Sequence, residues 1–339
     1  MRCYNLKQKN TSARCGRAKE ENILKSNASL STVNRRGSIY GKWKQIVRDR
    51  QLYIIMIPFL LFFALFVYRP MGSLVIAFKD YSVYRGVAAS PWVGLENFRT
   101  FFESPYFWRL IRNTVLLSVY SLIFSFPSSI LLALLLNEVR SKWFKSIVQT
   151  CSYLPHFISA VVIAGMVTSF LSPSNGVINL IIEMFGGEKI YFLSRAEYFR
   201  PIYIIMNIWT GIGYGSIVYI AAISGIDQQL YEACKIDGGG RLSQVWHVTL
   251  PGILPTVVTM FIMQIGNIMN VGYEKIILLY QPSTYETADV INSYVYRLGI
   301  EEANYSVSTA AGLFNSVIGF VLVMVANYAS NKINDVGLW

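Results

Sequence analysis

The chain has 339 residues, of which 53% are hydrophobic and only 14% are charged, and its formal net charge is +11. Soluble domains carry charge on roughly a quarter of their residues, so this composition excludes an ordinary soluble protein and indicates a membrane protein. Many of the basic residues precede the first apolar run, which argues against a nucleic-acid-binding surface.

Six stretches without Asp, Glu, Lys or Arg reach the roughly 17 to 25 residues that a membrane-spanning helix needs. They are residues 51–68, 113–137, 146–182, 201–226, 242–273 and 303–331. We therefore predict an all-α, polytopic membrane protein with six transmembrane helices, joined by short interfacial and cytosolic helices.

The N-terminal residues 1–50 are predicted to be a basic cytosolic tail, because they are polar and lack the apolar core of a signal peptide. Two roles stay open for this tail. Its basic side chains hold it against anionic lipid, at about 1 kcal/mol per residue, or it is a solvated arm that mainly fixes topology. Residues 51–111 are predicted to form the first span and an outer interfacial segment, and the span is expected to end at Arg69–Pro70.

Residues 112–330 are predicted to form a core that contains the second to sixth spans, followed by a cytosolic tail at 331–339. Pro127 and Pro155 fall inside the second and third spans, where they act either as hinges or as static packing kinks. His156 has no acidic partner in its span, so we interpret it as a hydrogen-bonded packing residue.

Lys and Arg residues predict the orientation, because cytoplasmic loops retain positive charge. Placing the N-terminus inside puts most basic residues on the cytoplasmic side, including Arg140, Lys142 and Lys145 after the second span. Both termini are then cytoplasmic, as is the segment 227–251 between the fourth and fifth spans. None of Cys3, Cys15, Cys151 and Cys234 is expected to form a disulfide.

Polar side chains recur at helical spacing in the fourth and fifth spans. They are Asn207, Thr210 and Tyr214 within residues 201–224, and Gln264, Asn267 and Asn270 within residues 253–273. Amides are costly in hydrocarbon unless they are paired. These faces therefore either line a water-filled path or form hydrogen bonds that hold the bundle together.

The polar segment 227–251 is predicted to form a helix, a turn and a second helix outside the bilayer. Asp227 can cap the first helix, and the glycines at 238–240 permit left-handed backbone. Pro251 is expected to end the second helix, because proline cannot continue the backbone hydrogen bonding.

This segment resembles the EAA loop of binding-protein-dependent ABC importer permeases. The residues that match are Glu232, Ala233, Cys234, Gly238, Val248, Leu250 and Pro251, with Cys and Val replacing an Ala and an Ile of the family pattern. The resemblance implies a type I ABC importer permease fold and a loop that transmits motion from a separate ATPase. In this role Glu232 and Asp237 would orient the loop and Gly238 would permit its turn. The alternative is an ordinary amphipathic connector.

A further resemblance, to maltose-type sugar permeases, involves the polar faces of the spans. Gly211 and Tyr214 match a sugar-contacting pair by their offset from Glu232, and Asn267 with Asn270 match a second pair after a one-residue gap. The resemblance implies a substrate path lined by Gly211, Tyr214, Asn267, Asn270, Gln264 and Asn207. Segments around residues 270–282 and 304–320 also resemble a subgroup linked to oligosaccharides and polysaccharide fragments.

Together these resemblances imply a bacterial inner-membrane permease subunit that imports a carbohydrate delivered by an extracytoplasmic solute-binding protein. The implied partners are a second permease subunit and two ATPase subunits that hold ATP and Mg. No cofactor, metal or catalytic centre is expected in this chain, which has no Gly-x4-Gly-Lys-Ser/Thr loop, no His-Glu-x-x-His and no candidate triad.

Three other functions are alternatives: an importer for a non-sugar solute, a membrane sensor or scaffold whose loop recruits a partner, and an ion-coupled carrier. The carrier would predict acidic residues within the spans, and the six charge-free runs have none. The segment 274–308 is expected to be an outer loop that faces the binding protein. Its carboxylates, Asp289, Glu301 and Glu302, are expected to lie on a solvated surface.

Overall fold

A computed structural model describes residues 49–334, and the secondary structure of this part of the chain is helical, with one isolated bridge between Lys79 and Trp92. The chain divides into two compact units, Met1–Gly72 and Ser73–Trp339. Nearly all of the predicted tail 1–50, and half of the tail 331–339, lie outside the described residues. Both predictions therefore stay predictions.

The described residues form helices that are numbered here in chain order. They are α1 Arg50–Phe78, α2 Gly86–Ala89, α3 Glu96–Glu103, α4 Phe107–Glu138, α5 Lys142–Phe157, α6 Ala160–Phe170, α7 Val177–Met184, α8 Ala196–Ser224, α9 Gln228–Ile236, α10 Arg241–Gly266, α11 Tyr273–Leu279, α12 Tyr285–Ala288, α13 Ile291–Tyr296 and α14 Tyr305–Asn334.

Five of these helices, α1, α4, α8, α10 and α14, are long and apolar enough to cross a membrane. Helices α5 and α6 together pass the same test, although they are bent by 104° at the break between them. If this bent pair counts as one span, the described residues contain six, as predicted. The all-α fold class is confirmed.

Three of the long helices continue through a proline that follows a π-helical turn. The turns Phe63–Tyr68, Ser121–Ser125 and Val245–Thr249 each lie directly before a helical segment with proline in its first two positions. A π turn shifts the hydrogen-bonding register, so the missing N–H of proline falls where a helix start has no partner to lose.

Two predicted helix ends are therefore wrong. Helix α1 continues past Pro70 to Phe78, and α10 continues past Pro251 to Gly266. In α10 the Thr249 hydroxyl donates to the Gln244 carbonyl at 3.3 Å, which satisfies an acceptor within the π turn. Proline does not end either helix, because the π turn before it leaves no backbone hydrogen bond for the missing N–H to break.

Pro155 has a larger effect than the predicted kink, because the third span breaks after it. The backbone changes to a 3₁₀ turn at Leu154–Phe157, and α6 begins as a separate helix with Ser159 as its N-cap. The Ser159 hydroxyl accepts from the Val162 N–H at 3.4 Å, a normal N-terminal cap. The third span is therefore two helices with a corner between them.

Helix α8 lies at the centre of the second unit and packs against α4, α5 and α10. At Gly213 the backbones approach so closely that an added Cβ would overlap the backbone of Ser152 in α5. Towards the C-terminal end of α8, Tyr219 and Ile223 pack with Ile253 of α10 in a buried cluster. These contacts hold the helices that carry the predicted polar faces side by side.

The outer segment before α4 is more deeply packed than an interfacial stretch would be. Phe101 of α3 is fully buried and its ring lies 5.6 Å from that of Phe314 in α14. Trp92 and Trp108 remain largely exposed, as predicted for a headgroup boundary. The amphipathic helix thus uses its apolar side chains for the core of the unit.

The segment 274–308 is not the simple outer loop that was predicted. It forms α11, α12 and α13, and Ile276, Ala288 and Ile291 are fully buried in two core clusters. The charge-free run ends at Glu274, but apolar side chains that follow Glu274 are still buried. The segment is part of the packed body of the unit.

Candidate functional site

A cavity of about 780 Å³ opens between α4, the corner after α5, α8 and the C-terminal end of α10. Five of the six residues predicted to line a substrate path line this cavity, namely Asn207, Gly211, Gln264, Asn267 and Asn270. The sixth, Tyr214, stacks on His156 with ring centroids 3.9 Å apart, and His156 itself lines the cavity. The structure thus brings the predicted residues together.

His156 does not have the packing role that was predicted for it. Its side chain is exposed, stacks face to face on Tyr214 and meets Phe157 edge to face. The corner after Pro155 places the imidazole at the cavity wall, and Tyr214 packs against one face of its ring.

Asn267 and Asn270 lie on a turn, whereas the sequence predicted one continuous helix through residue 273. Helix α10 ends at Gly266, and the next helix begins at Tyr273. The Ser118 hydroxyl donates to the freed carbonyl of Ile268. Irregular backbone at membrane depth is tolerated where it lines a cavity, and this turn lines one.

Three asparagines from separate segments form an amide cluster at the turn. The Asn315 side-chain amide donates to Asn292 Oδ1 at 3.1 Å, to Asn270 Oδ1 at 3.4 Å and to the Met269 carbonyl at 3.1 Å. Asn292 and Asn315 were not among the residues predicted from the sequence. The position of Asn315 within the apolar run of α14 was the available signal, since a buried amide requires a partner.

Lys275 is a further cavity residue that the sequence analysis missed. Its ammonium donates to Asn207 Oδ1 at 2.8 Å and to Thr210 Oγ1 at 2.9 Å, and the side chain is half-buried. Burial lowers the pKa of Lys275, because it disfavours the charged form. The residue was overlooked because it follows the apolar run that defined the fifth span.

Asp289 is fully buried, which contradicts the prediction of a solvated carboxylate. It accepts from Arg297 Nη2 at 2.8 Å, from Arg109 Nη2 at 3.2 Å and from the Ser293 hydroxyl at 2.8 Å. Burial opposes the charge of Arg297, but the hydrogen bond and the charge of Asp289 raise its pKa above the ordinary value. This ionic cluster ties the segment of α12 and α13 to the start of α4.

Asn113 and Thr114 of α4 hold the same segment through its backbone. The Asn113 amide donates to the carbonyls of Glu286 and Asp289, at 2.9 and 3.0 Å. The Ile291 N–H donates to the Thr114 hydroxyl at 3.1 Å. Arg200 of α8 in turn donates to Asn113 Oδ1 at 2.9 Å. The cavity wall that contains Asn292 is therefore anchored on two helices.

The predicted loop has the helix, turn and helix that its sequence indicated. Asp227 caps α9 by accepting from the Gln229 N–H at 2.9 Å, which confirms the predicted cap. Gly238 has a φ of +82°, so the turn needs the left-handed conformation at this glycine. Gly239 is needed for space, since a Cβ there would lie 2.5 Å from Cys234 Sγ.

The loop presents an exposed surface that mixes polar and apolar side chains. Glu232, Ala233 and Asp237 are exposed, and so are large fractions of Ile236 (85%) and Leu242 (76%). Leu250 instead packs against the core cluster of α8 and α10. Exposed apolar side chains grouped on a polar loop are typical of a contact surface for a partner protein.

Among residues 49–334, no group of three or more His, Cys, Asp or Glu side chains is placed to hold a metal ion. Cys151 and Cys234, the cysteines within this range, are free thiols.

Residues 125–335 match the protein family described as "Binding-protein-dependent transport system inner membrane component". The chain is 44% identical over 292 residues to Protein LplB of Bacillus subtilis (strain 168), covering 86% of this chain and 92% of LplB. It is 43% identical over 295 residues to the polygalacturonan/rhamnogalacturonan transport system permease protein YteP of the same strain, covering 87% of this chain and 92% of YteP.

Among solved structures, the fold is similar to a chain of a bacterial alginate ABC transporter in complex with an alginate pentasaccharide-bound periplasmic protein. The TM-score is 0.81 and the sequence identity is 48%, covering 87% of this chain and 99% of the solved chain.

Proposed function

We infer, because the chain belongs to the family of binding-protein-dependent transport system inner membrane components, that it is a permease subunit of an ATP-driven importer of oligosaccharides or polysaccharide fragments. The chain is a multi-pass membrane protein. The cavity is proposed as the part of the translocation path that this subunit supplies. The loop at 227–251 is proposed as the contact for the ATPase.

One observation carries the proposal: a single helix joins the loop to the cavity. Helix α10 begins at Arg241, directly after the loop turn, and ends at Gly266, one residue before Asn267 in the cavity wall. Its 26 residues span about 39 Å. A displacement of the loop would therefore reach the residues that line the cavity through one continuous helix.

The chemistry of the cavity suits a carbohydrate. Amide side chains such as Asn270 and Gln264 both donate and accept hydrogen bonds, as sugar hydroxyl groups do. The stacked rings of His156 and Tyr214 offer an apolar surface for the face of a sugar ring. YteP and the alginate transporter are both described as carriers of carbohydrate polymers or their fragments, which supports this substrate class.

The proposed assembly has this chain beside a second permease subunit, with two ATPase subunits on the loop side. ATP and Mg would be held by the ATPases. A solute-binding protein would deliver the sugar from the opposite side, as the complex of the similar alginate transporter supports. The loop and both termini would then face the cytoplasm.

Gly211 provides the test of the proposed path. An added Cβ at this residue meets no atom within 4 Å, and the residue lines the cavity, so a larger side chain there would begin in open space at the cavity wall. We expect Gly211→Leu to lower sugar uptake into proteoliposomes by about tenfold or more, or about 1.4 kcal/mol in the barrier. ATP hydrolysis in the absence of the binding protein should stay unchanged.

Gly165→Leu is the matched control, because Gly165 of α6 also has no atom within 4 Å of an added Cβ and does not line the cavity. Uptake by this variant should equal that of the unmodified importer. Equal uptake by the Gly211 and Gly165 variants would contradict the assignment of the cavity to the sugar path.

A further inference from the structure

The cavity contains a cation without a counter-ion. Lys275 is the only Lys or Arg among the described residues that line the cavity, and no ion pair involves it within residues 49–334. Its two partners, the amide oxygen of Asn207 and the hydroxyl of Thr210, are neutral. The ammonium is therefore held in place without being neutralised.

The arrangement contrasts with that of two half-buried arginines in the same unit. Arg297 and Arg109 are both paired with the buried carboxylate of Asp289. A buried charge is costly unless it is paired, and desolvation lowers the pKa of Lys275. An unpaired lysine that is kept half-buried by two specific hydrogen bonds is what a site for an anionic ligand requires.

The geometry leaves one donor of Lys275 available. A lysine ammonium has three N–H donors, and two of them are used by Asn207 and Thr210. The third has no hydrogen-bond partner within the described part of the chain. Since Ile276, the next residue, is fully buried, the backbone that carries Lys275 is fixed by packing.

Glu274 also lines the cavity, but it does not neutralise the lysine. Its side chain is exposed, and it forms no ion pair with Lys275. Consecutive helical residues differ by about 100° in direction, so the two side chains of α11 diverge although both residues line the cavity. The ammonium keeps an unpaired charge toward the cavity.

We propose that Lys275 binds a carboxylate of the transported sugar, and that the substrate is an oligosaccharide that contains uronic acid residues. The inference rests on the proposed function, since it assigns a substrate class and a specificity-determining residue to the same cavity. A uronate oxygen would accept the third N–H in a charge-assisted hydrogen bond, which is stronger than a bond between neutral groups. A neutral sugar would leave the charge of Lys275 unpaired.

The test uses the intact importer, purified through a tag on this chain and reconstituted with its binding protein. Uptake is measured for tetragalacturonate and for its carboxyl-reduced, neutral counterpart. Lys275→Gln should lower kcat/KM for tetragalacturonate by about tenfold or more. Lys275→Arg keeps the charge and should retain most of the rate.

Lys189→Gln is the matched control, because it removes the same charge from a residue that pairs with Glu183 away from the cavity. Its uptake should equal that of the unmodified importer for both sugars. If the binding protein delivers tetragalacturonate alone, the difference between the Gln and Arg variants on that sugar decides the role of Lys275.

Three results would overturn the proposal while leaving the proposed function intact. The first is uptake of the neutral sugar with no uptake of tetragalacturonate. The second is an equal loss for both sugars in Lys275→Gln, and the third is an equal loss in the Gln and Arg variants. Either of the last two would assign Lys275 to structure or to a contact with another subunit. If the unmodified importer takes up no oligosaccharide at all, the proposed function itself is wrong.

Discussion

Gly238→Pro is expected to abolish sugar-stimulated ATP hydrolysis and uptake while the importer still assembles. Gly238 has a φ of +82°, which proline cannot adopt, and its N–H donates to the Lys235 carbonyl at 3.0 Å, which proline cannot do. The two losses together cost about 3 kcal/mol, or about 100-fold in a coupling equilibrium. The turn would open and α9 would lose its place relative to α10.

The measurement is ATP hydrolysis in proteoliposomes, with and without the sugar-loaded binding protein, together with uptake of the labelled sugar. Gly240→Ala is the control within the same turn, because Gly240 has a φ of −75° and an added Cβ meets no atom within 4 Å. This variant should behave as the unmodified importer. Full stimulation of Gly238→Pro by the sugar would show that the loop does not couple the two activities.

Asp289→Ala is expected to produce the largest loss of stability. Removing this carboxylate leaves Arg297 and Arg109 without their counter-ion at sites where their side chains are only 15% and 27% exposed. Breaking a buried ion pair from one side costs about 3–5 kcal/mol. The cost would appear as a lower midpoint of thermal unfolding in detergent and as lost transport, because the same segment carries Asn292 of the cavity wall.

Glu103→Gln is the control for the loss of one carboxylate. Glu103 pairs with Arg99 at 2.9 Å, but both side chains are about two-thirds exposed (65% and 68%). Exposed pairs contribute little to stability, so the unfolding midpoint should not move. An Asp289→Ala variant as stable as Glu103→Gln would mean that the ionic cluster does not anchor α12 and α13.

Local rules predicted those parts of the loop in which neighbouring residues determine the conformation. A cap at Asp227 and a left-handed turn at Gly238 depend on a few adjacent side chains, and both are present. The polar faces of two spans also predicted residues that meet in one cavity. The spacing of Asn207 and Gly211 on α8 is fixed by helical geometry, whatever surrounds the helix.

The predictions that were wrong have two sources: a local backbone register and partners elsewhere in the chain. Pro251 did not end a helix, because a π turn before it changed the backbone register. Asp289 was expected in solvent, but Arg109, distant in sequence, and Arg297, after α13, both pair with it and allow its burial. Lys275 was missed because a rule that searches for charge-free runs places every charge outside the spans. Its hydrogen bond to Asn207 of α8 forms only because α11 folds back beside that helix.

We propose that the loop faces the ATPase subunits on one side of the membrane and that the segment before α4 faces the other side. The direct measurement labels single cysteines with a membrane-impermeant maleimide, in a chain whose four native cysteines are replaced by serine. Ile236→Cys and Tyr84→Cys are suitable, because Ile236 is 85% and Tyr84 is 100% exposed.

In intact cells stripped of their wall we expect Tyr84→Cys to be labelled. Ile236→Cys should be labelled only after the membrane is opened, and its labelling should fall when the ATPase subunits are bound. Labelling of Ile236→Cys from outside intact cells would contradict the account, because the loop would then be out of reach of a cytoplasmic ATPase.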